Sequence, residues 1–427
     1  MRINRRKVNI IHSLYVILLI MVTIPIFTSC KKSTITIDNS VYVMENKFVS
    51  GQDSSYMFQG HNNDQYIVKA ENGYFFRLNG ILYFGDETLD TFIPLCTQAN
   101  CLHGQATTEE LRYECGAYVG APISVSSLQY YNNNIYVRSY FDLVSKEERN
   151  AGVIQNEKIY SISSDGAKKR LLDIDIASWV SPIFHRGYIY YSFTDVEEED
   201  SGGMLRPVSY GGIARRSLAT GKEDVLLDRS RIIMGNDGVQ EIYAYQNYVY
   251  FRVTDKQNKD HLYVLSLLDN KLNKIETEAE AFPTFYFMGD KLIYTYYSED
   301  MEVKKKVYRA DLDGSNEEYI FDIVDSSPRD RIGADDNYIY VDNGLKSEVL
   351  RGTEERTLRY YDIETYEYLG EVNLGNKTSW LSLGYGDENY YFYFEIDMDK
   401  ERLMYFDKAD LATGNVELKM LLEWEIQ

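Results

Sequence analysis

The chain is short of the residues on which much enzyme chemistry is built. Its 427 residues include five histidines and four cysteines, and no cysteine follows Cys115. After the expected N-terminal processing, His61, His103, His185 and His261 remain, and all but His103 stand alone in sequence. A lone histidine beside a strand, such as His185 before Arg186-Gly187, reads as a turn or surface residue. No G-x-S-x-G elbow, no H-E-x-x-H pair and no phosphate-cradling glycine loop is present. Gly202-Gly203 and Gly211-Gly212 read as flanks of a long inter-strand loop rather than the opening of a helix. No apolar run reaches the roughly 20 residues of a spanning helix. The longest, Leu14 to Phe27, is too short.

What is present begins with that short run. Arg2, Arg5, Arg6 and Lys7 precede it without an acid, and Pro25 interrupts it near its end. This is the layout of a signal peptide. The run closes on Phe27-Thr28-Ser29-Cys30, which resembles the lipobox of bacterial lipoproteins, with Phe27 where leucine is usual. The resemblance implies removal of residues 1–29 and lipidation of Cys30. Two acyl chains, at about 0.8 kcal/mol per buried CH₂, then anchor the protein to the membrane on its extracytoplasmic face. An uncleaved anchor, or a cleaved signal without lipid, exports the same body. Residues 30–52 are polar and read as a flexible tether, with the folded domain at 53–427.

Losing the four basic residues takes the formal net charge from −21 to about −25. Such a body repels phosphate, which argues against nucleic-acid partners and leaves membrane attachment to the lipid. The acidic run Glu197-Glu198-Glu199-Asp200 reads as a solvated loop tip. Tyrosine, at 39 residues, is the dominant aromatic, and proline, at seven, is scarce. The chain is therefore not disordered and has ample material for a β core.

The body repeats itself. Aromatic strands recur at Tyr74, Asn134, Tyr188, Tyr248, Leu292, Tyr338 and Tyr390. Second strands of alternating pattern follow, as at Lys158, Gly212, Leu262, Val307, Leu358 and Leu403. These run into turns at Asp165-Gly166, Thr220-Gly221, Asp269-Asn270, Asp313-Gly314, Thr365-Tyr366 and Thr413-Gly414. Seven copies at about 50-residue spacing, with four short strands each, predict an all-β propeller of seven blades. Six or eight blades, a β-helix or paired sandwiches are the alternatives. The turns Asp311-Leu-Asp-Gly-Ser and Ser163-Ser-Asp-Gly resemble hairpins of propellers similar to the periplasmic translocation protein TolB. They are too poor in carboxylates for a calcium loop.

One segment stands apart chemically. Pro94-Leu-Cys96, Cys101-Leu-His103 and Cys115-Gly-Ala-Tyr118 place three cysteines and a histidine within residues 96–115. Two readings stay open. Cys96, Cys101, His103 and Cys115 match a Cys₃His tetrahedral site, with structural zinc as the ion. The other is a disulfide, Cys101–Cys115 or Cys96–Cys115, as export permits. Either staples an inter-blade loop. The segment resembles a PLCxxxxCxH…CxAY signature of propeller-like surface lipoproteins of Firmicutes. That resemblance implies the fold and the anchor but no activity.

With no catalytic motif, the function expected is a non-catalytic ligand-binding or scaffolding propeller, acting as a monomer on a glycan or a protein or peptide ligand. Its tyrosines would supply the contact surface. A carbohydrate-active hydrolase with carboxylates at the channel, such as Asp195, Asp255 and Asp342, is the alternative. An envelope assembly factor is another. A hydrolase demands two or three carboxylates converging with an arginine in one pocket.

Overall fold

The computed structural model describes residues 47–54, 58–59, 66–103, 114–120, 127–139, 158–172, 180–200, 205–227, 234–255, 260–275, 284–295, 305–323, 330–343, 355–375, 381–396 and 399–425. Cys30 and His61 lie outside them, and so do the signal peptide and all of the expected tether before residue 47. Among the described residues no helix is long and apolar enough to cross a membrane.

Seven antiparallel sheets follow one another along the chain. The first blade is β2 (Ile67–Ala70), β3 (Gly73–Leu78), β4 (Ile81–Asp86) and β5 (Phe92–Pro94). The second is β6 (Leu128–Tyr131), β7 (Asn134–Ser139), β8 (Lys158–Ser163) and β9 (Lys169–Leu171), and the third β10 (Ile183–His185), β11 (Tyr188–Asp200), β12 (Leu205–Ser217) and β13 (Glu223–Leu227). The fourth is β14 (Met234–Tyr245), β15 (Tyr248–Asp255), β16 (Asp260–Ser266) and β17 (Leu272–Ile275), and the fifth β18 (Thr284–Met288), β19 (Lys291–Thr295), β20 (Lys305–Asp311) and β21 (Glu318–Ile323). The sixth is β22 (Arg331–Ala334), β23 (Tyr338–Asp342), β24 (Arg356–Asp362) and β25 (Tyr368–Gly375), and the seventh β26 (Leu381–Gly386), β27 (Tyr390–Ile396), β28 (Lys400–Asp407) and β29 (Lys419–Glu425). A two-residue strand β1 (Phe58–Gln59) adds to the seventh sheet beside β26. Every predicted aromatic strand is the second strand of a blade, and every predicted follower is the third.

Strand periodicity explains why these strands are apolar throughout. Successive side chains of a strand point to opposite faces of its sheet, and each sheet here is covered on both faces by its neighbours. In β27, Tyr391 and Tyr393 pack into the core shared with blade six, while Phe392 and Phe394 pack into the core shared with blade one. In β15, Val249, Phe251 and Val253 face blade three and Tyr250 faces blade five. Seven such cores occupy the seven seams, including the one between the last blade and the first.

The tyrosine excess has a geometric cause. Nine of the largest fully buried side chains are tyrosines, and several extend a hydroxyl to a turn at the blade rim. Tyr250 donates to the Leu312 carbonyl at 2.6 Å, Tyr340 to Asp335 at 2.8 Å and Tyr360 to the Leu411 carbonyl at 3.1 Å. Phenylalanine would fill the same space but leave those acceptors unmet.

Some local expectations change. Gly211 and Gly212 lie within β12, opposite Thr194 and Phe193, so they belong to a long hairpin and not a loop. The acidic run 197–200 is likewise the end of β11, paired with residues 205–208. Thr413-Gly414 is not a two-residue hairpin. It ends a short 3-10 helix over Lys408–Thr413, with Gly414 left-handed at φ 71°.

Candidate functional site

The Cys/His segment sits where the first blade is incomplete. Its outer strand is made of two pieces. β5 pairs with Tyr83–Gly85, and residues 117–119 then run beside Gly80–Leu82. Leu82 N–H donates to the Ala117 carbonyl at 2.9 Å and Val119 N–H to the Gly80 carbonyl at 2.7 Å. The second piece approaches so closely that a Cβ on Gly80, itself at φ 71°, would lie 2.0 Å from the Gly120 carbonyl oxygen. Cys96 leaves the first piece, and Cys115 enters the second.

Between the two pieces the chain doubles back. Asn100 and His103 take positive φ values of 60° and 48°. Such values are uncommon outside glycine, though asparagine and histidine accept them best. As a result the sulfurs of Cys96, Cys101 and Cys115 and a ring nitrogen of His103 all lie within 4.8 Å of one another. His103 Nδ1 is 3.7 Å from Cys115 Sγ. A tetrahedron around an ion with metal–sulfur bonds of about 2.3 Å has edges of about 3.8 Å. Cys115 is buried and the other three residues are half-buried. All three thiols are free.

Electrostatics set Cys96 and Cys115 apart. Burial resists ionisation of Cys96, but N–H donors of Gln98 and Gly116 aimed at it outweigh burial and hold its thiol below the ordinary value. Burial pushes Cys115 up to about 12, against a donor at Ala117. Amides directed at sulfur are what a thiolate ligand needs around it. The cluster has the donors and the geometry to hold a metal ion. Lys169 on β9 adds a tie from the second blade, donating to the Tyr118 carbonyl at 2.5 Å.

A second site lies at the channel mouth, where the turns joining the first two strands of the blades gather. Residues 47–54 are docked there as a strap, so the expected tether boundary at residue 52 falls inside an ordered segment. Asp53 accepts from Arg186 Nε at 2.5 Å and Nη2 at 3.0 Å, both residues being buried. Asn132 N–H donates to the Gly51 carbonyl at 2.9 Å, and Arg186 N–H to the Gln52 carbonyl at 2.7 Å. His185 is not the surface residue expected. It is fully buried, accepts from Ser54 N–H at Nδ1 (3.1 Å) and sits 2.7 Å through Nε2 from the Gln246 carbonyl. Burial lowers its pKa to about 4, so it is neutral and Nε2 is the donor.

Beside the strap is a cavity of about 490 Å³. Phe48, Tyr130, Tyr245 and Phe287 form its apolar wall. Its polar lining includes Lys69, Glu71 and residues from one turn in each of blades six and seven, Asp335-Asp336-Asn337 and Asp387-Glu388. The two turns are built alike. Asp335 Oδ1 accepts the amides of Asn337 and Tyr338 at 2.8 Å, and Asp387 Oδ1 those of Asn389 and Tyr390 at 2.9 Å. The other oxygens take a phenol each, Tyr340 at 2.8 Å and Tyr74 at 2.5 Å, and a lysine each, Lys408 and Lys69. Burial alone would lower Lys69, but Asp387 and Glu388 outweigh it and hold the ammonium above its ordinary value. Asp335 and Asp387 are therefore turn-builders, while Glu71, Asp336 and Glu388 are exposed to solvent.

Of the acids proposed from sequence for hydrolysis, Asp342 does not line this cavity. Asp342 is locked in a buried pair with Arg356, whose Nε donates to it at 2.9 Å and whose Nη1 donates to the Tyr393 hydroxyl at 2.9 Å. The side chains of Asp195 and Asp255 lie outside the described residues. His261 is half-buried on β16. Sequence reading missed the strap and the acidic turns. Their signal was the recurrence of acid-acid-Asn-Tyr at 335–338 and 387–390, which resembles ordinary turn chemistry until the ring closes.

No protein-family model and no curated protein matches the sequence. Solved structures match in fold. A prolyl endopeptidase structure aligns over 90% of this chain and 51% of its own, at 12% identity and a TM-score of 0.52. Tricorn protease aligns over 89% and 36%, at 10% identity and 0.44. The TolB of Acinetobacter baumannii aligns over 83% and 78%, at 12% identity and 0.36. This chain thus spans about half the length of the endopeptidase and 36% of tricorn protease. At such identities the likeness shows a β-propeller and leaves chemistry to the site.

Proposed function

We propose that this propeller is a ligand-binding module displayed at the outer face of a membrane by lipid on Cys30. The observation that carries the reading is the channel-mouth cavity, which brings the rings of Phe48, Tyr130, Tyr245 and Phe287 together with the exposed carboxylates of Glu71, Asp336 and Glu388. Aromatic rings accept the apolar face of a sugar or the stem of a basic side chain, and carboxylates accept hydroxyl or ammonium donors. The ligand class that suits both is an amino-sugar glycan or a basic peptide. No arginine lines the cavity among the described residues, which is not the arrangement a hydrolase asks for. The Cys/His cluster serves in this reading as a structural zinc site.

The test is binding of the mature protein to arrays of amino-sugar glycans and Lys/Arg peptides, with calorimetry on any hit. Binding should weaken about tenfold on replacing Asp336 and Glu388 by amides, and should weaken with added salt. Turnover of a glycan or peptide without stable binding would overturn the reading.

A further inference from the structure

Among the described residues, the first and last blades of this ring share little backbone: only the two-residue β1, which precedes blade one in the chain, adds to the seventh sheet. Blade one is built from residues 67–94 with 117–119, and blade seven from residues 381–425 with β1 beside β26. The one backbone crossing described is β1, two residues long. The rest of the joint is made by side chains: Tyr66 stacked on Phe394 at 4.2 Å, Tyr74 donating to Asp387, and the Glu401 carboxylate accepting the backbone N–H of Asn79. Every other seam joins blades that are consecutive in the chain.

The Cys/His cluster belongs to this joint. Cys115, Ala117 and Tyr118 are members of the same core as Phe392, Phe394, Leu403 and Leu421 of blade seven, and Cys96, Cys101 and Trp424 pack against it. The cluster also spans the break in the outer edge of blade one. Whatever draws Cys96 and Cys115 together therefore does two things at once. It completes the edge of blade one, and it fixes the surface on which blade seven closes.

We propose that one thiophilic divalent ion, bound by Cys96, Cys101, His103 and Cys115, is the clasp of the ring, an assignment that rests on the zinc reading above and adds to it a role in closing blade seven onto blade one. Three sulfurs and an imidazole, with no oxygen ligand in the cluster, select Zn²⁺ or Cd²⁺ and exclude Mg²⁺ and Ca²⁺. On binding, the ion takes the place of the thiol protons, which leave to solvent, and no electron is transferred. Four protein ligands close a tetrahedron, so the site offers no open position for catalysis and its effect is mechanical.

The experiment uses the whole protein, reduced and stripped with a chelator, then titrated with Co²⁺ or Zn²⁺. Hydrogen exchange is followed at residues 66–78 and 391–405 for the joint, and at residues 248–266 as a control seam. The expected result is one Co²⁺ per chain with the absorption of a tetrahedral thiolate site. Exchange at the joint should slow about tenfold or more on loading, with the control unchanged. His103→Ala, which removes a half-buried ligand, should weaken metal binding and leave exchange at the joint fast at the same metal concentration. Absence of the thiolate–cobalt absorption, or a Cys–Cys disulfide in the metal-free protein as isolated, overturns both the site and the clasp. One equivalent bound with slowing confined to residues 95–119 leaves the zinc site standing and overturns the clasp.

Discussion

The seam between blades four and five and the seam between blades seven and one are built from the same kinds of side chain, yet they are held differently. The first is apolar and aromatic, with Tyr245 stacked on Phe287 at 4.6 Å and Tyr250, Leu262, Val264 and Leu292 around them, and neutral hydrogen bonds cross it from Tyr250 to the Leu312 carbonyl at 2.6 Å and from Gln246 to the Gly289 carbonyl at 2.9 Å. Its blades are also consecutive in the chain, so thermal opening cannot carry them far apart. The second joins residues more than 300 positions apart. To its aromatic core it adds Lys69 against Asp387, an amide on Glu401, a two-residue strand and the edge of the Cys/His cluster. Both seams carry hydrogen bonds besides apolar area; the difference is that the closing seam adds charged groups where no consecutive chain holds the blades, since closing it carries the loop-closure entropy of the whole ring.

The largest effect that breaks the comparison is truncation of one ring in each seam. Phe394→Ala and Phe287→Ala should each cost about 3–5 kcal/mol. The cost of Phe287→Ala should be the same with and without metal, whereas that of Phe394→Ala should shrink in metal-stripped protein, because the joint is then already loosened. Urea unfolding of the four species measures both terms, and equal costs for Phe394→Ala in the two states would show that the seams are equivalent.

A smaller effect concerns the strap, which ties blades two and three although they are already consecutive. Asp53→Ala leaves Arg186 buried beside Asn247 without its carboxylate and should cost about 3 kcal/mol. Exchange should rise at residues 47–54 and 185–187 and stay slow in β15, if consecutive blades hold without the strap.

Acid probes the same place. His185 has its pKa at about 4 in the fold, against about 6.5 when unfolded. Between these values the unfolded chain binds more protons. The stability that neutral His185 contributes is therefore complete above about pH 6.5 and is lost as the pH falls toward 4. Its size is about 2–3 kcal/mol across that window. His185→Gln should flatten this part of the pH dependence, read as the difference in urea midpoints between pH 7 and pH 4.5 for variant and parent.

The smallest effect on the fold belongs to the exposed acids of the cavity. Glu388→Gln and Glu71→Gln should alter stability by less than about 0.5 kcal/mol. A larger loss from Glu388→Gln would show that its contact with Lys69 belongs to the closing joint rather than to ligand binding.

Much of this architecture was legible in the residues. Strands such as Tyr248-Val-Tyr-Phe-Arg and Tyr338-Ile-Tyr-Val announced sheets buried on both faces, and their spacing announced blades. The crowding of Cys96, Cys101, His103 and Cys115 announced a shared site. The misreadings have a common physical cause. His185, Asp342 and the glycines of β12 were judged by their neighbours in sequence, and each is defined by a neighbour in space. Ser54 and Gln246 bury His185, Arg356 captures Asp342, and Phe193 lies over Gly212.

By itself the sequence determined the repeat, the strand order within each blade and the residues of the Cys/His cluster, because these follow from local pattern and short spacing. Only the tertiary structure decided that blade seven meets blade one through two residues of β1 and a core of side chains, that residues 47–54 dock on the turns of blades two and three, and that a Cys/His loop borders the joint. Those are contacts between residues far apart in the chain. Their existence depends on how the blades twist and close, and no local pattern carries that information.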